Sequence, residues 1–151
     1  MLLDGLGRVA CAEPADLDDD GDVDLAICEF GAAEGSVFWL ETRDDGSLER
    51  HTLRSEAGAI HAFPFDADAD GDLDLAVALS QAAQQVLLYR NKGAGHFEEE
   101  VIFSAPNQGF GLSGIELADL DGDGDQGLVV AGGDYLDSTY ALSVQGVFWL
   151  D

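Results

Sequence analysis

The sequence predicts an all-β fold, a partial β-propeller of about three four-stranded antiparallel blades with the third incomplete, and three observations carry that prediction. An acidic decapeptide recurs with starts at Asp16, Asp66 and Asp119, 50 and 53 residues apart. Each copy runs without a break into a short apolar, partly β-branched stretch. A further apolar stretch follows in each unit, with Val-Phe-Trp-Leu recurring in the first and third. Self-similarity at a period of about fifty residues marks a repeat architecture, and four short strands per repeat is the pattern of a propeller blade.

The second copy shows the chemistry most clearly: Asp66-Ala67-Asp68-Ala69-Asp70-Gly71-Asp72-Leu73-Asp74-Leu75. Five carboxylates this close repel one another unless a cation sits among them. Calcium takes six to eight oxygen ligands in a flexible loop, and oxygen is nearly all the stretch offers: the side chains of Asp66, Asp68, Asp70 and Asp74, with the Asp72 carbonyl between them. Gly71 stands where the loop turns sharply. The first copy supplies Asp16, Asp18, Asp20, Asp22 and Asp24. The third supplies Asp119, Asp121, Asp123 and Asp125, but Gly127 replaces the ninth-position aspartate, so its site is expected to be weaker. An EF-hand is excluded, because its closing glutamate at position twelve is here Ile27, Val77 or Val130.

The elements then follow in order. Each unit opens with a short strand, around Arg8 to Ala12, Ala59 to Phe65 and Leu112 to Ala118. The acidic loop leads into an apolar run that reads as a strand buried on both faces: Leu25 to Cys28, Leu75 to Leu79 and Leu128 to Ala131. A third strand covers Ser36 to Glu41, Gln85 to Arg90 and Gly146 to Asp151. Turn signals at Asp44-Asp45-Gly46-Ser47 and Asn91-Lys92-Gly93-Ala94-Gly95 each feed a polar outer strand, Leu48 to Leu53 and Phe97 to Phe103. Blades are expected over about residues 7–54, 58–104 and 111–151. A propeller closes with about four to eight blades. The chain is therefore expected to be a fragment of a longer propeller, or a unit whose copies assemble edge to edge into a ring; an unpaired edge favours the fragment.

At 151 residues and 46 % hydrophobic composition the chain is long and apolar enough to bury a core. The net charge of −25 reflects 31 acids against 6 bases, with six, five and four of the acids in the three loops. Such a charge argues against nucleic acid and anionic membranes as partners. No stretch reaches the roughly twenty apolar residues that span a bilayer, and Met1-Leu2-Leu3-Asp4-Gly5 lacks the features of a signal peptide. Loops of this type work near the millimolar calcium of extracellular modules. The expected setting is therefore extracellular, cell-surface or periplasmic, as part of a longer secreted chain.

The three loops, the Asp-Leu-Ala-hydrophobic strands behind them, and Asn91-Lys92-Gly93-Ala94-Gly95-His96-Phe97 resemble the FG-GAP/VCBS repeat family, which is similar to the seven-bladed propeller of integrin α subunits. The resemblance covers nearly the whole chain. Phe110-Gly111 fits the Phe-Gly signature, while no Gly-Ala-Pro follows a loop. It implies a calcium loop between the first two strands of each blade, with positions one, three, five and nine ligating through side chains and position seven through its carbonyl. That transfers to Asp16, Asp18, Asp20, Asp22 and Asp24, and to Asp66, Asp68, Asp70, Asp72 and Asp74. It transfers in part to Asp119, Asp121, Asp123 and Asp125. Two full calcium sites and a weaker third are implied.

Other chemistry is weighed against packing. Cys11 and Cys28 are nearly symmetric about the first loop and can face each other; two buried free thiols are the first expectation and a cross-strand disulfide the alternative. His51, His61 and His96 stand with no nucleophile motif. Glu98-Glu99-Glu100 reads as a solvated edge, and Trp39 and Trp149 as residues packed between blades. The expected function is a non-enzymatic calcium-binding module that binds a protein or glycan, as in adhesion. The alternative is an accessory propeller segment of a larger secreted enzyme or cytochrome-type protein whose active site lies outside this chain.

Overall fold

The computed structural model describes residues 4–31, 34–81, 83–106, 110–133 and 146–150. Among them are eleven strands and no helix. The first sheet contains β1 (Val9–Ala15), β2 (Asp24–Glu29), β3 (Ser36–Thr42) and β4 (Leu48–Arg54), paired in that order. The second contains β5 (Ala59–Phe65), β6 (Asp74–Leu79), β7 (Gln85–Asn91) and β8 (Phe97–Ser104), again in sequence order. The third contains β9 (Leu112–Ala118), β10 (Gly127–Gly132) and β11 (Gly146–Leu150), with β10 in the middle. Every pairing is antiparallel. The chain is thus a partial β-propeller of three blades, and Asp151, which the sequence reading placed in the last strand, lies outside the described residues.

In the first two blades the second strand carries an unbroken apolar run because both of its faces are covered. In β6 all six residues are buried, where an amphipathic strand would alternate. The outer strands β4 and β8 hold no fully buried residue and carry many of the polar residues, as edges do. The first strand of blade one runs further than its sequence suggests, to Ala15, because its ladder with β2 continues down to the Ala15↔Asp24 pair at the mouth of the acidic loop.

Alternate residues of the middle sheet serve two joints. One core joins blade one, through Leu17, Ala26, Cys28, Val37 and Trp39, to blade two, through Leu75, Val77, Leu87 and Tyr89. A second joins Ala76, Ala78 and Val86 of blade two to Ile115, Leu128 and Val130 of blade three, with Phe110 at its centre. Phe103, Phe110 and Phe148 meet there with ring centroids 5.5–5.7 Å apart. The outer face of blade one is closed by Leu6 and by Arg50, whose guanidinium lies 3.7 Å from the Phe38 ring centroid. The opposite face of blade three is open: Val147 is 72 % and Trp149 38 % exposed.

One expectation is corrected here and another is extended. Trp39 packs between blades, 3 % exposed and edge-on to Phe97, but Trp149 in the matching position has no sheet over it among the described residues. The Glu98-Glu99-Glu100 edge is exposed as expected, but Glu99 does more than meet solvent: it accepts the Tyr89 hydroxyl and pairs with Arg54 of blade one, so it ties two blades. Its neighbour Glu100 pairs with Arg90. Arg54 and Tyr89 both point at position 99, and neither is visible from the Glu98-Glu99-Glu100 run alone.

Asn91, at the end of β7, is a buried polar link across the first joint. Its side-chain amide donates to the carbonyl of Leu17 in blade one at 2.8 Å and to that of Leu73 in its own blade at 3.2 Å. Its side-chain oxygen accepts the Gly93 amide, and the residue is 2 % exposed. The turn it starts lies against Trp39, so closely that a Cβ on Gly95, at φ +68°, would stand 2.6 Å from the indole. Asn91→Ala strands the Leu17 carbonyl without a donor and should cost about 1–3 kcal/mol. Urea unfolding measures this, as a lower midpoint at an unchanged slope.

Candidate metal centre

The acidic hairpins β1–β2, β5–β6 and β9–β10 share one backbone. Position four of each loop is left-handed, at Asp19 (φ 61°), Ala69 (φ 59°) and Gly122 (φ 80°), and so is position six, at Gly21, Gly71 and Gly124. Glycine at position six was legible as a turn; the left-handed fourth position was hidden, because Asp19 and Ala69 adopt it without being glycine. A non-glycine residue holds that conformation only when its surroundings fix it.

The carboxylates do the fixing. In the second loop, Asp66 accepts the amides of Asp70 and Gly71, and Asp70 accepts that of Asp72. The first loop repeats this through Asp16 to Gly21 and Asp20 to Asp22. The third does so through Asp119 to Gly122 and Gly124, and Asp123 to Asp125. Each loop is therefore wound around its first aspartate.

Position nine does something different. Asp74 is fully buried; one oxygen accepts the Ala67 amide at 3.1 Å and the other the Asn91 amide at 2.7 Å. Asp24 does the same for Leu17 at 3.0 Å and Thr42 at 2.8 Å. The ninth aspartate thus clasps the start of its loop to the end of the third strand. Thr42, like Asn91 a blade later, adds a side-chain bond to the carbonyl of position eight, Val23. Neither residue is marked by the loop motif, although each is the last residue of the third strand of its blade. In blade three Gly127 removes the clasp, and a Cβ there would collide with Trp149 Nε1. The indole takes the room that a ninth-position side chain needs.

Three carboxylates converge in each loop, with one oxygen apiece within 4.8 Å of the others: Asp16, Asp18 and Asp24; Asp66, Asp68 and Asp70; Asp119, Asp121 and Asp123. Asp20 and Asp22 stay outside the first group, Asp72 and Asp74 outside the second, and Asp125 outside the third. Asp16 Oδ1 and Asp18 Oδ1 are shut off from solvent and meet no hydrogen-bond donor. Buried carboxylate oxygens left in that state are costly. All-oxygen donors suit a hard cation such as calcium, which would be held by these converging oxygens. Helices flank none of the hairpins, so the exclusion of an EF-hand stands.

The charges register this environment. Burial raises the Asp18 carboxyl above its ordinary range, and the neighbouring charges of Asp24 and Asp20 raise it further. Burial likewise raises Asp24 and Asp74, although their backbone amide partners pull the other way. A raised carboxyl makes a contribution to the ion-free fold that is complete below the ordinary carboxylate pKa and is lost as pH rises through the raised value. A cation needs the ionised form. The gain in melting temperature on adding calcium should therefore be largest near neutral pH and fade by pH about 4. Paired thermal melts across that range measure the difference.

A family model of an FG-GAP-like repeat matches the chain twice, at residues 16–77 and 66–130. No curated protein and no solved structure matches it.

Proposed function

Because the chain belongs to the FG-GAP-like repeat family, we propose that it is a calcium-binding propeller module with a structural and interaction role and no catalysis of its own. The observation that carries this reading is the recurrence of an aspartate triad at the same hairpin of all three blades, its oxygens within 4.8 Å of one another. Calcium neutralises each triad and holds a loop whose backbone is already wound for it. The two clasped loops bind more tightly than the third, which lacks the ninth aspartate.

The module works outside the cell or at its surface, where calcium near the millimolar range fills sites of this kind. Among the described residues no helix is long and apolar enough to cross a membrane. The partner is a protein or a glycan, met on a strongly acidic surface that repels nucleic acid. Loops two and three flank one cleft, lined by Phe65, Asp68, Asp123 and Gln126 among others, and it offers such a partner a mixed apolar and acidic seat. The exposed Val147 and Trp149 fit the packing of a further blade, from a longer chain or from another copy that completes the ring.

Two measurements test the reading. Each filled site at ten times its dissociation constant should add about 1.4 kcal/mol, so excess chelator should lower the melting temperature; a melt indifferent to chelator contradicts structural calcium. In calorimetric titration Asp70→Ala should weaken binding more than Asp123→Ala, because the third loop is already incomplete. The reverse order overturns the assignment.

A further inference from the structure

The only two cysteines of the chain, Cys11 and Cys28, occupy one register pair of one hairpin. The β1–β2 ladder runs in step from Ala15↔Asp24 to Cys11↔Cys28, and a bulge follows it between Cys11 and Val9. Directly opposed residues of an antiparallel pair present their side chains to the same face, with Cα atoms about 4.5–5.5 Å apart. That span lies inside the range a disulfide bridges. Cys28 belongs to the core of the first joint and Cys11 packs against it. At the equivalent places, blade two pairs His61 with Ala78 and blade three pairs Gly114 with Ala131. The dithiol is therefore no requirement of the repeat; it is an addition to blade one.

We propose that Cys11 and Cys28 form a reversible disulfide, a redox modification site that staples the hairpin carrying the first acidic loop. Cys11 is the attacking sulfur, since it is partly exposed while Cys28 is completely buried. The hydrogen bond from Cys28 holds the Cys11 thiol below its ordinary range against the opposing effect of burial, and the same bond with burial pushes Cys28 up. Thiolate, not thiol, is the nucleophile. With a small disulfide such as oxidised glutathione as oxidant, the Cys11 thiolate displaces one glutathione thiolate and forms a mixed disulfide. Cys28 then loses its proton to solvent and attacks the Cys11 sulfur, releasing the second glutathione thiolate. Two protein thiols are oxidised and one glutathione disulfide is reduced to two thiols. The bridge closes the chain on both sides of the Asp16 to Asp24 loop and so limits how far that loop opens in the unfolded state.

The test needs no metal and is independent of the calcium reading. The full chain is equilibrated in glutathione buffers of graded poise, alkylated and cut with trypsin. The peptide Val9–Arg43 carries both cysteines and has no internal basic residue. At oxidising poise it should appear unalkylated and lighter by two hydrogens, and in Cys28→Ser the glutathione adduct should accumulate on Cys11. Should that variant not fold, the wild-type peptide decides the question alone. Two alkylated sulfurs at every poise, or bridges formed only between chains, would overturn the proposal.

Discussion

The constraint on which the structure depends is the crowding of carboxylates at the mouths of three hairpins. Charges that repel this strongly are tolerated because each has been given work that neutral side chains cannot do. The first aspartate of a loop winds the backbone around itself, and the fifth caps the turn. The ninth, buried at Asp24 and Asp74, fastens the loop to the third strand of its blade. Backbone amides meet part of the cost. What they leave over, in the closed-off oxygens of Asp16 and Asp18, is what a divalent cation is suited to meet.

Loop geometry and blade packing are consequently one system. Asp74 orders the amide of Asn91, and Asn91 carries that order across the joint to the Leu17 carbonyl, inside the first acidic loop. The turn beyond Asn91 closes over Trp39, whose indole lies among the residues of the first joint. A hydrogen bond and an aromatic contact therefore connect one loop to the next blade. Among the described residues blade three shows no such chain of links. Gly127 has no side chain to clasp with, Trp149 fills the space, and the outer face of the sheet remains open to solvent.

Much of this was legible before any coordinates. The period of Asp16, Asp66 and Asp119 named the blades, and the doubly buried second strands followed from unbroken runs such as Leu75 to Leu79. The departure at Gly127 marked the weak copy. What escaped was everything set by partners distant in sequence. Asn91 reads as an ordinary turn residue until Leu17, 74 positions earlier, is placed beside it. Glu99 reads as one of three solvated acids until Arg54 and Tyr89 arrive. Trp149 was equated with Trp39 because the two share a motif, but burial depends on the neighbouring sheet, which a local motif does not contain. Within the loops, alternation made every aspartate look equivalent, whereas the folded loops sort them into converging triads and a ninth-position clasp, which in the first loop, at Asp24, also belongs to the triad.

The central claim is that these triads hold a hard divalent ion, and the most direct measurement is a count of bound metal on the folded chain by native mass spectrometry in calcium-containing ammonium acetate. The account predicts chains carrying two calcium ions, with a third appearing only at higher calcium. A folded chain that carries no calcium under the same conditions would contradict it.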